Sequence, residues 1–338
     1  MPEPLLKIEN LTVEFDTPRG PVRAVDRVGI EVAPGETMGL VGESGCGKSV
    51  TALSILGLLP AETGGVKGGK IFFESRNLLD INAEELRRIR GNRIAMIFQE
   101  PMTALNPVLS IGRQVAESLM AHRQLSKSAA YREAGNWLTH VRIPSADKCL
   151  KRYPHHLSGG MRQRVMIAMA MICRPALLIA DEPTTALDVT TQSQILALMS
   201  GLKAEFGMAM LLISHDLGVI AQTAARVAVM YAGQVVETAQ TTDLFAAPFH
   251  PYTEGLLGSL PRVARLPGEP PRPLREIPGT VPALSGPLQG CRFAGRCPHA
   301  FYVCRQRCPE LEETAPGHLA RCWLKDHPAR RKPLKNRF

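Results

Sequence analysis

The sequence has no apolar run that approaches the ~18 residues a helix needs to span a bilayer. Its start, MPEPLLKIENL, lacks the basic stretch followed by an apolar segment that marks a secretory signal. We therefore expect a cytosolic protein that reaches a membrane only through a partner. Cysteine is scarce in the first 290 residues, which contain three, whereas residues 291–322 contain five.

A surplus of charge is also absent from most of the chain. Residues 1–260 carry 25 basic and 25 acidic side chains, whereas residues 261–338 carry 15 and 6, the whole net charge of +9. Such a basic tail is typical either of contact with anionic lipid, nucleic acid or an acidic partner, or of a solvated tail, and both interpretations stay open. The length of 338 residues predicts more than one structural unit.

Short apolar runs alternate with helical patterns over the first 260 residues. The pattern predicts an α/β fold with a mainly parallel sheet, a small antiparallel layer from the first two strands, and a helical insertion over about 108–160. The predicted strands are 7–15, 22–32, 37–42, 70–74, 93–98, 176–181, 209–214 and 226–233.

The chain changes character after Leu260. Residues 261–290 contain eight prolines and predict a linker or an extended strap. A cysteine-rich unit at 291–322 follows, and a basic tail at 323–338 ends the chain.

Residues 42–49 read GESGCGKS, in the order G-x-x-x-x-G-K-S, between an apolar strand and a helical pattern. Backbone N–H groups of such a loop turn inward around phosphate oxygens, and the following helix N-terminus adds partial positive charge. Lys48 can reach β- and γ-phosphates, and the Ser49 hydroxyl can ligate Mg²⁺. The predicted phosphate site comprises Gly42, Glu43, Ser44, Gly45, Cys46, Gly47, Lys48, Ser49 and Val50.

The apolar run ALLIAD, at residues 176–181, predicts a buried strand. The strand ends in Asp181 and is followed by Glu182. The carboxyl end of a strand in a parallel sheet lies beside the phosphate loop. Asp181 can hold Mg²⁺ there, directly or through water. Glu182 is then placed to polarise a water for attack on a γ-phosphorus.

The segment LSGGMRQ, with Ser158, Gly159 and Gly160 before a helix, resembles the signature of ABC-type ATPases. The resemblance covers residues 5–260, over which the remaining motifs follow in order. It implies a P-loop NTPase core, an antiparallel subdomain and a helical signature subdomain at about 100–165. It also implies ATP as the ligand, with these further site residues: Gln99 of the Q-loop, Asp188 of the D-loop, the switch residue His215 and the adenine-stacking Phe15.

The resemblance also implies an incomplete site. In this family the Ser-Gly-Gly segment contacts the nucleotide bound by the opposite subunit, so Ser158, Gly159, Gly160 and Asp188 are expected to serve a partner's ATP. Mg²⁺ is expected at Ser49, Gln99 and Asp181. Closure and opening of a two-subunit assembly would be the step that produces work.

Two further segments, FQEPMTALNP after Gln99 and HPYTEGLL at 250–257, resemble the ATPase subunits of dipeptide, oligopeptide and nickel importers. That subfamily implies a second ATPase (a paralogue or a copy), two membrane permease subunits and a periplasmic or extracellular substrate-binding protein. It implies a peripheral location at the cytoplasmic face of the inner membrane, and no nucleic acid. The segment after Gln99 is expected to contact the permease.

Four cysteines, Cys291, Cys297, Cys304 and Cys322, lie where the subfamily places its cysteines. Disulfides are not expected in the cytosol, and the C-x₅-C and C-x₆-C spacings are longer than those of most structural zinc sites. The resemblance implies a 4Fe–4S cluster in a small metal-binding module, with zinc as the alternative. Cys308 is additional, and His299 and His318 rank below the cysteines as ligands.

Other functions compete with a peptide importer. A nickel or glutathione-like cargo fits the same motifs, and the basic tail suggests a non-transport ABC ATPase that acts on nucleic acid. Such proteins usually carry two ATPase halves or a long coiled coil, and this sequence has neither. A regulatory metal-binding protein with a vestigial ATPase is disfavoured because Glu182 and His215 are intact.

Overall fold

The computed structural model describes residues 3–18, 20–99, 104–260, 276–282, 284, 286 and 289–331. The strands are β1 (Leu6–Thr17), β2 (Gly20–Val32), β3 (Thr37–Val41), β4 (Gly64–Phe73), β5 (Arg76–Asn77), β6 (Ile94–Ile97), β7 (Leu177–Asp181), β8 (Ala209–Ser214), β9 (Arg226–Tyr231), β10 (Gln234–Gln240), β11 (Glu312–Ala315) and β12 (His318–Ala320). The helices are α1 (Lys48–Ile55), α2 (Ala83–Ile89), α3 (Ile111–Arg123), α4 (Lys127–His140), α5 (Ala146–Cys149), α6 (Gly159–Met171), α7 (Val189–Phe206), α8 (Leu217–Thr223), α9 (Thr241–Ala246), α10 (Pro251–Gly258) and α11 (Tyr302–Gln306). Short 3₁₀ turns lie at Pro154–His156 and Pro328–Arg330.

The larger sheet has the order β11-β12-β10-β9-β3-β8-β7-β6, and β9, β3, β8, β7 and β6 within it are parallel. β3, β7 and β8 are buried along their whole length, as expected for strands covered on both faces. Alternate residues enter two separate hydrophobic cores: Leu177 and Ile179 lie in one, Leu178 and Ala180 in the other. The predicted parallel α/β core is confirmed.

The smaller sheet is antiparallel, with the order β2-β1-β4-β5. Its inner face, which includes Ile8, Val13 and Ile71, shares a core with one face of the larger sheet. β1 and β2 form a hairpin, so the predicted antiparallel layer is confirmed. The packing of the two sheets brings β2 against the loop that follows β3.

Helices α3 to α6 form the insertion that the sequence predicts between two sheet strands, β6 and β7. In α4 the buried positions Ala130, Ala134, Trp137 and Leu138 recur at helical spacing. They share a core with α6, α7 and the other face of the larger sheet. Within the described residues, no helix is both long and apolar enough to cross a bilayer.

The C-terminal segment is joined to the larger sheet by backbone pairing. β12 pairs antiparallel with β10, through Glu237 and Ala320, and β11 extends the sheet beyond it. Phe293 is buried against the rings of Tyr231 and Tyr252. The sequence did not predict β10, β11 or β12, because none of them has a regular alternation of apolar and polar residues and β11 and β12 are also short, with four and three residues. Residues 261–275 of the predicted linker and 332–338 of the basic tail lie outside the described residues.

Candidate functional site

The loop of residues 42–49 joins β3 to α1 and folds around the ammonium group of Lys48. Lys48 Nζ donates hydrogen bonds to the carbonyl oxygens of Gly42 and Glu43, at 2.8 and 3.1 Å, and the side chain is buried. Gly47 has a φ of 106°, and a Cβ there would lie 2.6 Å from the carbonyl oxygen of Ala24 on β2. Only glycine fits this position, because it combines a left-handed backbone with a close neighbour.

The other residues of the loop differ in exposure. Ser44 and Gly45 are exposed at its turn, and Val50 is half-buried on α1. Cys46 is buried, with its Sγ 3.9 Å from Lys48 Nζ, and burial raises the pKa of its thiol. Phe15 is half-buried on β1, in register with Val22 and Gly64, and its contact with adenine stays a prediction.

Asp181 ends β7 beside the phosphate loop. Burial raises the pKa of its carboxyl, and a hydrogen bond with the Ser49 side chain opposes that shift. The Oδ1 atom is buried and has no hydrogen-bond partner among the described residues. A buried carboxylate oxygen without a partner, next to a hydroxyl, suits a divalent cation that would neutralise it. The donor set therefore fits the Mg²⁺ predicted at Asp181 and Ser49.

The Glu182 carboxylate is the meeting point of three side chains. Its Oε2 atom accepts hydrogen bonds from Gln99 Nε2 and Thr185 Oγ1, both at 3.0 Å, and His215 Nδ1 lies 3.1 Å away. Glu182 has a φ of 47°, a conformation that non-glycine residues rarely adopt. Two predicted residues, Gln99 and His215, therefore converge on one atom of a third, Glu182, and Thr185 is a participant that the sequence analysis missed.

The signature segment begins α6 and is open to solvent. Ser158 caps the helix by accepting a hydrogen bond from the Met161 N–H at 3.4 Å, and Ser158 and Gly159 are exposed. A Cβ at Gly160 would lie 2.8 Å from Thr191 Cγ2, at the start of α7. The signature thus packs directly on the element that Asp188 caps.

Asp188 accepts hydrogen bonds from the Thr191 N–H at 2.9 Å and from Thr191 Oγ1 at 2.7 Å. These bonds, led by the one from the backbone, hold the pKa of Asp188 below its usual value. The D-loop aspartate is therefore an ionised helix cap in this subunit. Its predicted role toward a partner's nucleotide stays a prediction.

The C-terminal part of the chain contacts the phosphate loop, which the sequence analysis did not anticipate. The Glu43 N–H donates to Tyr252 Oη at 2.9 Å, and the Arg296 guanidinium pairs with the Glu43 carboxylate at 2.8 and 3.0 Å. Tyr252 belongs to the HPYT segment, in which His250 Nδ1 accepts a hydrogen bond from the Tyr252 N–H at 3.1 Å. The HPYT motif was the sequence feature that could have indicated this contact, but the sequence did not specify where the motif lies in the fold.

The four cysteines predicted as metal ligands lie in one region. The Cys291 N–H donates to the Cys304 carbonyl at 2.7 Å, and the thiols interact electrostatically with one another. Burial raises the pKa of Cys291, Cys297 and Cys322 to about 12. Across the described ranges, however, no group of three or more His, Cys, Asp or Glu side chains is placed to hold a metal ion. The structure therefore does not support the predicted metal module.

Two of the other candidates for ligation, His318 and Cys308, have contacts outside the four predicted cysteines. His318 Nε2 lies 2.6 Å from Glu237 Oε1, so this imidazole is committed to a buried carboxylate. Cys308 Sγ lies near the Gln234 side chain, at 3.7 Å from its Oε1. His299 is buried in the same segment.

Comparisons with known proteins agree with these motifs. A family model described as "ABC transporter" matches residues 25–185, and one described as "Oligopeptide/dipeptide transporter, C-terminal region" matches residues 236–304. A probable peptide ABC transporter ATP-binding protein of Sinorhizobium fredii, y4tR, is 53% identical over 324 residues, 94% of each chain. The chain belongs to the ATP-binding proteins of peptide ABC transporters. Members of this family are ATPases whose hydrolysis is coupled to transport.

Other relatives of this ABC ATPase match it over nearly the whole length of both chains. The dipeptide transport ATP-binding protein DppD of Bacillus subtilis is 50% identical, with 97% of this chain and 96% of the relative covered. The oligopeptide transport ATP-binding protein OppD of Escherichia coli is 49% identical, with 94% and 93% covered. A solved dimeric structure of the cassette MJ0796, bound to ADP and Pi, matches with a TM-score of 0.62 at 28% identity. That match covers 70% of this chain and 98% of the cassette.

Proposed function

We propose that this ABC ATPase drives the import of dipeptides or oligopeptides from the cytoplasmic face of a membrane. The carrying observation is the convergence of Gln99, Thr185 and His215 on Glu182, beside a phosphate loop, in a chain whose 236–304 segment matches the peptide-transporter C-terminal model. The relatives named above are peptide transport proteins, which favours a peptide over nickel or a glutathione-like cargo. Nucleic acid is not an expected partner.

The residues that surround the carboxyl end of β7 have distinct roles in the proposal. Asp181 and Ser49 would hold Mg²⁺, with Gln99 as a further ligand, and the ion would offset charge on the β- and γ-phosphates. Glu182 polarises the water that attacks the γ-phosphorus. His215 and Thr185 orient its carboxylate through the contacts of 3.1 and 3.0 Å, and thereby offset its unfavourable backbone conformation.

The active assembly in this proposal contains two ATPase subunits. Support comes from the exposure of Ser158 and Gly159, a helix N-terminus suited to an anion that a second subunit would bring. The solved cassette described above is dimeric. The partner is a paralogue or a second copy of this chain, and its phosphate loop would face this signature.

The permease would dock in an apolar groove of about 250 Å³ between β6, the end of α1 and α6. Phe98 and Leu58, which both line the groove, are 41% and 39% exposed, so together they present apolar surface that a partner could cover. Phe98 immediately precedes Gln99, whose amide contacts Glu182. A cytoplasmic segment of the permease that presses on this groove would therefore act on the catalytic carboxylate through one residue. Residues 100–103 of the predicted contact lie outside the described residues.

The finer assignment of the cysteines is also part of the proposal. Four mutually interacting sulfurs form a donor set that suits a 4Fe–4S cluster, with zinc as the alternative. Burial disfavours the thiolate form of these cysteines, and the positive charge of a bound metal core would offset that cost. Binding would require the four sulfurs to draw together from their present positions.

The test of the proposed mechanism is Glu182→Gln in the full-length chain with its partner ATPase. We expect ATP binding to persist, hydrolysis to fall by about 100-fold or more, and an ATP-dependent closed dimer to accumulate in sedimentation experiments. Glu84→Gln, on the exposed face of α2, is the matched control and should hydrolyse ATP normally. Normal turnover in the Glu182 variant would contradict its role as the base.

A further inference from the structure

Glu43 is an acidic side chain inside a loop built to bind an anion. It directly follows Gly42, and its own carbonyl accepts one of the hydrogen bonds from the Lys48 ammonium. A free carboxylate at this position would repel the polyphosphate of ATP, since like charges a few ångströms apart disfavour each other. The loop therefore needs a compensating cation that is not Lys48, whose charge is required for the phosphates.

Arg296 supplies that cation from the C-terminal segment, 253 residues along the chain. Its two terminal nitrogens meet the two Glu43 carboxylate oxygens at 2.8 and 3.0 Å, the paired geometry that makes arginine–carboxylate contacts strong. The Arg296 side chain is 8% exposed and that of Glu43 27%, so solvent screens this pair only in part.

The guanidinium is held in place by groups other than Glu43. Arg296 Nε donates to the Pro278 carbonyl at 2.9 Å, and Nη2 donates to the Ile277 carbonyl at 3.2 Å. The guanidinium also lies over the ring of Tyr231, with its central carbon 5.7 Å from the ring centre. A cation fixed from several sides is already in position before nucleotide arrives, so it imposes its geometry on Glu43.

We propose that Arg296 is a positioning residue of the ATP site. It neutralises Glu43 and fixes the first turn of the phosphate loop, so the C-terminal segment sets the affinity for ATP. The inference rests on the proposed function only in that residues 42–49 bind ATP. By reciprocity, ATP bound at the loop stabilises the docked C-terminal segment to the same extent.

The test compares Arg296→Met with Arg307→Met in the full-length chain, by titration calorimetry with MgATP. Arg307 is exposed in the same segment and forms no ion pair within the described residues, so it controls for loss of a positive charge. We expect the Kd for ATP to rise by at least about fivefold in the Arg296 variant and to stay unchanged in the Arg307 variant. In the assembled transporter, KM for ATP should rise more than kcat falls.

Two further variants separate a charge effect from damage to the fold. Glu43→Gln removes the repulsion, so the double variant Glu43→Gln with Arg296→Met should recover an ATP affinity near that of wild type. Arg296→Lys, which keeps the charge without the paired geometry, should recover part of the loss. If Arg296→Met lowers the affinity equally with and without the Glu43→Gln substitution, or does not lower it at all, the inference is overturned. Failure of wild type to bind ATP would instead refute the phosphate-loop assignment.

Discussion

Two adjacent acids illustrate how position sets the role of a residue. Asp181 is the last residue of a buried strand and faces Ser49, whereas Glu182 turns out of the sheet with a positive φ and meets Gln99 and His215. Burial raises the pKa of Asp181 and so disfavours its ionised form. A nearby cation would oppose this shift, because it favours the ionised carboxylate. In the proposed mechanism, the same side-chain chemistry thus serves metal binding at one position and water activation at the next.

Lys48 gives a prediction at this scale. Its ammonium is buried and bonded to two carbonyl oxygens of the loop. Lys48→Ala removes both bonds and the charge that faces the phosphates, so we expect the affinity for MgATP to fall by about tenfold or more. Thermal unfolding with and without MgATP measures this, because ligand binding raises Tm.

Lys67→Ala, an exposed lysine of β4, is the control and should retain the full ATP-dependent increase in Tm. An undiminished increase in the Lys48 variant would refute the phosphate-loop interpretation.

The start of α10 shows how a helix cap positions a side chain at the phosphate loop. The buried Glu237 carboxylate on β10 accepts hydrogen bonds from the Phe249 and His250 N–H groups, and His250 Nδ1 caps α10 through the Tyr252 N–H. Pro251 occupies the first helical position, where no N–H is required. This cap orients Tyr252 so that its hydroxyl reaches the phosphate loop.

His250 makes this helix start sensitive to acid. Burial lowers its pKa from 6.5 to about 4, opposed by Glu237 and reinforced by Arg321 and Arg331. The unfolded chain binds a proton near pH 6.5 and the folded chain does not, so the contribution of His250 to stability is complete above pH 6.5 and is lost as the pH falls toward 4. Wild-type Tm should fall between pH 7 and pH 5.

His250→Asn keeps a helix-capping oxygen and removes the titration, so its Tm should fall less over the same pH range. The exposed His155→Asn serves as control and should retain the wild-type pH dependence. Identical pH profiles for wild type and the His250 variant would contradict the assignment.

At the scale of the whole molecule, the C-terminal segment packs against the loop of residues 42–49. β12 pairs with β10 at the edge of the larger sheet, which positions Phe293 and Arg296 against Tyr231 and the phosphate loop. The signature lies at the start of α6 and is exposed. One face of the subunit is therefore completed internally, by its own C-terminal segment, and we propose that the other is completed by a second ATPase subunit.

The cysteines give a prediction at the same scale. Full-length protein purified without oxygen should be brown and contain iron and acid-labile sulfide. Cys291→Ser and Cys322→Ser should lose both and unfold at a lower temperature, because a metal stabilises a segment with few apolar residues.

Cys308→Ser is the matched control, since Cys308 contacts Gln234, and it should keep the metal. A colourless protein with stoichiometric zinc would replace the cluster by the alternative metal. A protein free of metal would contradict both.

The sequence by itself determined the α/β core, the antiparallel layer, the helical insertion and the family, because these depend on local patterns. Buried strands read as apolar runs, and a phosphate loop needs particular residues at fixed spacing. The family motifs named Gln99, Glu182 and His215 as site residues, but not their convergence on one carboxylate oxygen. Only the tertiary structure decided that Thr185, Tyr252 and Arg296 contact the site and that β10 to β12 extend the sheet. Arg296 and Glu43 lie 253 residues apart, and no local pattern encodes a contact that only the packed chain creates.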